Sequence, residues 1–342
     1  MAFFSSIIFL ISLLTFAGDV LSDHPTTTTL YLSPPTTFFS NYNNMLNSFK
    51  IFIYPPSLTT TTTNLFTTPQ QSQFYKSLLT SPFITQDPNQ AHLFFIPFPS
   101  STTTRSLARF IKTIRLAFPF WNRTLGADHF YLSAAGVDSS SDRNIVELKK
   151  NSIQISNFPT TSGLFIPHKD ITLPPPPFNA TSALTKTVSK RIPLRLVKEI
   201  ENDNEFKVEL INNEKVIKFI KNGKFCISVY GYEMTWMVEA MTSECVPVVI
   251  TDRPIQDLPM MDVIKWDEVA VFVGSSGDVE GLKRVLNGIE KSRYETMVKS
   301  GVVAAQHLVW NAEPQAWDAF NMIVYQLWLR RHTIRYARWV QR

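Results

Sequence analysis

Two short apolar runs with one amphipathic stretch between them leave this chain few ways to fold. KFCISV (224–229) and VPVVI (246–250) are strand-like, and the residues from Tyr230 to Glu244 fit a helix. A strand, helix, strand crossover of this length joins parallel strands, and such connections are nearly always right-handed. Their C-terminal ends open on a crevice, so Tyr230, Gly231, Tyr232 and the Thr251-Asp252-Arg253 turn are placed to line it. A further strand is expected over Val269–Val273.

The same alternation occurs earlier. Phe49–Tyr54 reads as a strand stopped by Pro55-Pro56, QFYKSLLTSPFITQ as a short helix running into a turn at Asp87-Pro88, and Ala91–Phe98 as a continuous apolar run bounded by proline. A continuous run belongs to a strand buried on both faces of a parallel sheet. Residues 102–118 space Leu107, Phe110, Ile111 and Ile114 at helical intervals, and Phe130–Ser133 supplies another strand, with Asp128 and His129 just before it. The fold class is therefore α/β. From Pro314 to about Arg342 the spacing of Trp317, Phe320, Ile323, Val324 and Leu327 predicts a core-packing helix.

With 342 residues and 44% apolar content, the chain supports one large or two ordinary domains. Lys and Arg exceed Asp and Glu by 33 − 28 = 5, and five arginines lie in the last thirteen residues. That excess is a terminal feature and argues against a nucleic-acid-binding face. The two cysteines, Cys226 and Cys245, form no C-x-x-C pair and leave one disulfide or two buried thiols open. The six histidines show no i, i+4 pair, and G-x-S-x-G, P-loop, H-E-x-x-H and G-x-G-x-x-G motifs are absent. No metal site is expected.

Residues 1–25 form a signal peptide or signal anchor. The apolar run Ala2–Ala17, about 16 residues, is short of the roughly 20 that span a bilayer comfortably, which favours cleavage, though a thin Golgi membrane would hold it. Entry into the secretory lumen gives meaning to the sequons at Asn122 and Asn179. Residues 26–48, rich in Thr, Pro and Asn, read as an extended stem, and Thr59–Thr63 as a surface loop. An N-terminal α/β domain is assigned to 49–177, ending at the prolines 174–177. A polar connector follows over 178–223, and a second α/β domain with the terminal helix over 224–342.

Six blocks then fall in order: FKIFIYPP (49–56), SPFITQDPNQAHLFFIPF (81–98), PFWNRTLGADHF (119–130), PHKDITLPP (167–175), KFCISVYGYE (224–233) and VEAMTSECVPVVITDRPIQDLPMMDVIKW (238–266). Together they resemble the exostosin-like glycosyltransferases of plants. The resemblance implies a GT-B architecture, two Rossmann-like halves facing a cleft, with a nucleotide-sugar donor such as a UDP-sugar held by the second half. It also implies no cofactor, no obligatory metal, a polysaccharide or glycan acceptor, Golgi residence and cell-wall biosynthesis.

By resemblance, Glu239 would hold the donor ribose, against the plainer reading of a solvated helix carboxylate. Asp128 and His129 match the GADHF block and are expected to act as base and orienting pair toward the acceptor, since inverting transfer needs a base for the acceptor hydroxyl. Lys169-Asp170 matches the family's K/R-D block and fits a surface salt bridge or turn equally well. Three departures stand out. No Arg or Lys precedes Glu239 in Met234–Met237, which directs attention to Arg253 as the cation for the diphosphate. Ser133–Gly136 replaces a Cys-His-Asp-Trp stretch, and 178–223 is too short and polar for the family's additional βα unit. Two functions follow: a lumenal glycosyltransferase, or a catalytically weak relative that binds glycans or partner transferases.

Overall fold

The computed structural model describes residues 31–56, 65–134, 136–160, 165–176, 199–200, 202–211, 214–219, 225–230, 236–275 and 277–339. The signal segment, the Thr59–Thr63 loop, Asn179, Gly231 and Tyr232 lie outside the described residues. Two five-stranded sheets organise the chain. The first is wholly parallel, in the order β1 (Ile51–Ile53), β2 (Leu93–Phe95), β3 (His129–Leu132), β4 (Ile153–Asn157), β5 (Ile171–Leu173). The proline-bounded run supplies β2, and its alternate side chains enter different cores. Leu93 and Phe95 face one face of the sheet and Phe94 the other, all three fully buried.

Helices cover both faces. α2 (Pro69–Leu79) packs Phe74 and Leu78 on one side. On the other, α3 (Thr104–Ala117), α4 (Phe120–Thr124) and α5 (Arg143–Asn151) bury Leu107, Ile111, Ile114, Trp121, Ile145 and Leu148. Thr103 caps α3 and Asp142 caps α5, each accepting a hydrogen bond from a backbone N–H of the first turn.

The second sheet runs β10 (Val271–Gly274), β9 (Val246–Thr251), β8 (Phe225–Val229), β7 (Glu214–Phe219), β6 (Phe206–Ile211). The crossover from β8 through α6 (Trp236–Thr242) to β9 is parallel, as expected, and β10 follows in parallel. Cys226 and Cys245 form a disulfide with Cα atoms 5.8 Å apart, joining β8 to the residue before β9. α7 (Val279–Asn287) covers one face with Val279, Leu282 and Leu286; α8 (Lys291–Gln306) and α6 pack together on the other.

Three expected boundaries change. The stem assigned to 26–48 contains α1 (Pro35–Ser48), because Phe38, Tyr42, Met45 and Phe49 fall at i, i+4, i+7 and i+11 within polar sequence. All four are at most 1% exposed, and Tyr42 stacks on Trp317 with ring centroids 3.8 Å apart. The connector assigned to 178–223 holds the β6–β7 hairpin, which pairs antiparallel onto β8 and extends the second sheet where a βα unit was expected to be missing. The terminal helix α9 (Ala319–Trp339), assigned to the second domain, returns to the first: Phe320 meets Phe74, and Arg330 reaches the backbone before β5. The largest apolar cluster consequently runs unbroken from the first sheet through α1 and α9 into the second half.

Candidate functional site

The two sheets approach each other at the C-terminal ends of their parallel strands. Phe158, just past β4, lies against Tyr230, just past β8, at 6.5 Å between ring centroids. Beside them Asp257, on the segment after β9, is 5% exposed and joins the halves. Its Oδ2 accepts hydrogen bonds from Thr160 N (2.8 Å) and Thr160 Oγ1 (2.6 Å), and its Oδ1 from the Tyr230 hydroxyl (2.5 Å). Thr172 Oγ1 on β5 donates to the Asp257 carbonyl at 2.9 Å. Burial, then the Asp257 charge and hydrogen bond, push the Tyr230 hydroxyl far above its ordinary pKa, so it remains a donor to this carboxylate.

Sequence reasoning alone misses Asp257: its one signal is an acidic side chain between Pro254 and Pro259, a few residues past a buried strand.

Tyr230 and Arg253 come together as expected. Tyr230 N donates to Ile250 O (2.8 Å), which fixes the end of β8 against β9. A tight turn in which Thr251 Oγ1 accepts from Arg253 N and donates to Arg253 O sends the arginine back over β8. Its guanidinium carbon stands 5.8 Å from the Tyr230 ring centroid, within cation–π range. Arg253 is solvent-exposed, a cation held at the mouth of the crevice. Glu239 lies half-buried on α6, about one turn in, and makes no hydrogen bond to Tyr230 or Arg253 among the described residues.

The Asp128–His129 pair sits elsewhere. Both side chains are interior, at 1% and 0% exposure, on the sheet face covered by α3, α4 and α5. Asp128 accepts from Thr124 Oγ1 (2.5 Å) and Arg123 Nη2 (3.0 Å), while His129 Nε2 bonds the Tyr54 hydroxyl at 2.9 Å and its ring stacks near Phe94 and Tyr54. His129 Nδ1 lies 2.8 Å from Asp128 Oδ1, close but without hydrogen-bond alignment. Burial raises the Asp128 pKa, but His129, Thr124 and Arg123 outweigh it and hold the carboxyl below its ordinary range. Neither side chain is exposed, unlike the open position expected of a base and orienting pair that faces the acceptor.

Lys169 and Asp170 are interior as well, which corrects the surface reading. Asp170 is 2% exposed and accepts from Gln154 N (3.0 Å), Ile166 N (2.8 Å) and Lys169 Nζ, pinning the loop before β5 to β4. Desolvation lowers the Lys169 pKa despite its neighbour. Asn122 is exposed on α4, and its Oδ1 accepts from Arg115 Nε at 2.8 Å. Among the described residues no three His, Cys, Asp or Glu side chains group as metal ligands, and no helix is long and apolar enough to cross a membrane.

The arrangement is thus one parallel and one mixed sheet meeting at the C-terminal ends of their parallel strands, with an exposed arginine beside the junction. Residues 45–194 and 185–289 match the Exostosin GT47 domain. The chain belongs to the exostosin GT47 family. It has the GT-B-like α/β architecture of a glycosyltransferase.

Among relatives, it is 27% identical to the Arabidopsis thaliana protein named Probable glycosyltransferase At5g25310, over 88% of this chain and 71% of that one. It is 29% identical to Probable glycosyltransferase At5g03795 of the same plant, over 87% of this chain, and spans 65% of that relative's length. With Probable beta-1,4-xylosyltransferase IRX10 from Arabidopsis thaliana it shares 26% identity over 63% of each chain.

Proposed function

We propose that this GT47 chain transfers a sugar from a nucleotide-sugar donor, a UDP-sugar, to a cell-wall polysaccharide or a glycoprotein glycan. The transfer is inverting and metal-independent. It takes place on the lumenal side of the Golgi membrane, with the N-terminal segment as tether if it is retained. The observation that carries the reading is Arg253 held over Tyr230 at the end of the β8–β9 pair. A departing diphosphate concentrates negative charge, and a cation at that position stabilises it. Crevices at strand C-termini are where open α/β sheets hold such ligands.

In this reading Glu239 takes the ribose hydroxyls, and Gly231 and Tyr232 complete the turn beside the phosphates. The proton of the acceptor hydroxyl needs a base within hydrogen-bond reach, and Asp128 and His129, the pair expected to supply it, are both interior. That burial favours a second reading, a catalytically weak relative that binds glycans or partner transferases. A thermal shift with UDP separates the two. The expected result is a raised unfolding midpoint in the native chain, and in Arg253→Ala an affinity reduced roughly tenfold with folding intact. No response of the native chain at millimolar UDP overturns the donor reading in favour of the scaffold.

A further inference from the structure

The helical layer of the first sheet carries a surface groove of about 640 Å³ between α3 and the loop that leads into α5, sharing no lining residue with the crevice at Arg253. One wall is a row of cations. Arg105, Arg109 and Lys112 fall at i, i+4 and i+7, so α3 presents them on one face. All three are exposed, and among the described residues none has a carboxylate within ion-pair distance. The next basic residue of the helix shows the contrast. Arg115 is paired with Glu147 at 2.6 Å and donates at 2.9 Å to the Oδ1 of Asn144, which lines the groove.

The facing wall is polar. Ser140 Oγ accepts from Asp142 N at 3.1 Å, and Ser139 Oγ lies 3.4 Å from Lys149 Nζ, which brings a fourth cation to the rim. Two carboxylates oppose the four cations. Asp142 lines the groove, its Oδ1 accepting from Asn144 N at 2.8 Å as it caps α5, and Asp138 precedes Ser139 on the same loop.

Cations and hydroxyl groups together call for an anion with several acceptor oxygens. Among the described residues no aromatic ring lines the groove, so it offers no platform on which a nucleobase or a sugar ring would stack. A bilayer surface is met by cations flanked with exposed apolar side chains, and Ala108, the apolar residue in this lining, is buried. A narrow chain bearing carboxylates fits better. Successive cations stand about 6 Å and about 4.5 Å apart along the helix axis, from the rise per residue. An extended peptide repeats its same-face side chains at about 6.6 Å, so acidic residues at alternate positions meet the row nearly in register.

We propose that this groove docks an acidic peptide segment of a partner protein, its carboxylates laid along Arg105, Arg109 and Lys112. The proposal goes beyond the donor reading and does not need it. Binding is measured by fluorescence anisotropy on the full chain at low salt, with a labelled, end-capped octapeptide of alternating glutamate and serine as probe and its glutamine–serine counterpart as control. Saturable binding of the acidic peptide alone is expected, unchanged by UDP and by Arg253→Ala. Exposed charge pairs are individually weak, so Arg105→Ala, Arg109→Ala and Lys112→Ala combined are expected to weaken it roughly tenfold with the unfolding midpoint retained. Raising the salt from ~0.05 M to ~0.5 M is expected to weaken binding to the native chain as well.

No saturable binding of the acidic peptide overturns the proposal. So does equal binding of the neutral peptide, or binding that the triple variant leaves at native strength, which belongs to another cationic surface. Displacement of the peptide at lower concentration by an oligogalacturonate, or by vesicles containing phosphatidylserine, assigns the groove to a different polyanion and overturns the peptide reading.

Discussion

His307 shows how one interior side chain ties stability to pH. The Tyr31 hydroxyl and His307 Nε2 are 3.0 Å apart, and His307 Nδ1 lies 2.8 Å from Trp317 O. A carbonyl only accepts, so Nδ1 carries the proton and Nε2 accepts from Tyr31, which is the neutral imidazole. Burial lowers the His307 pKa accordingly. The unfolded chain, with an ordinary histidine near 6.5, then binds a proton that the folded one refuses, so stability falls as pH drops below about 6.5. The loss from this residue is at most about 1.4 kcal/mol per pH unit. Asp128, whose folded pKa is depressed, acts lower: its contribution is present above about pH 4 and is lost as pH falls through its folded value. Unfolding midpoints between pH 8 and 5 are expected to decline in the native chain and more shallowly in His307→Gln. Equal slopes would remove the histidine from the account.

Among elements, α1 departs furthest from its sequence appearance. Its apolar stripe was present, but Thr, Ser and Asn around it and the prolines before it gave the composition of a linker. What makes the helix is its partner surface. Tyr42 stacks on Trp317, its hydroxyl accepts from Trp317 N at 3.1 Å, and Phe38 packs edge-on to Tyr325. Tyr42→Ala is expected to cost about 3 kcal/mol, the scale of emptying a buried aromatic site, whereas a stem residue would cost nothing. Denaturant unfolding of the full chain measures the difference. The β6–β7 hairpin was hidden for a related reason. Its strands are charge-rich, and only pairing with β8 gives them a sheet to join.

Across the whole molecule, three of the contacts among the described residues that hold the two halves together stand out. Residues 31–33 bond to 263–265, with Lys265 N donating to Tyr31 O and Ser33 N to Val263 O, each at 2.7 Å. Arg330 joins α9 to Asp262. Asp257 closes the third, at the strand ends. Because Tyr230 and Thr160 reach this one carboxylate from opposite halves, Tyr230→Phe and Thr160→Val should not act independently on stability. A double-mutant cycle is expected to return a coupling of about 1 kcal/mol; strict additivity would mean that Asp257 does not join the halves.

The parallel strands, the β8–α6–β9 crossover and the meeting of Tyr230 with Arg253 were legible in the sequence alone. Hydrophobic period and proline punctuation act over a few residues, and the crossover rule converts them into a crevice without knowledge of anything distant. The interior positions of Asp128, His129, Lys169 and Asp170, the clasp at Asp257 and the groove beside α3 were decided only by tertiary packing. Each depends on segments tens to hundreds of residues apart, and the same polar side chain is exposed or buried according to which of them arrives.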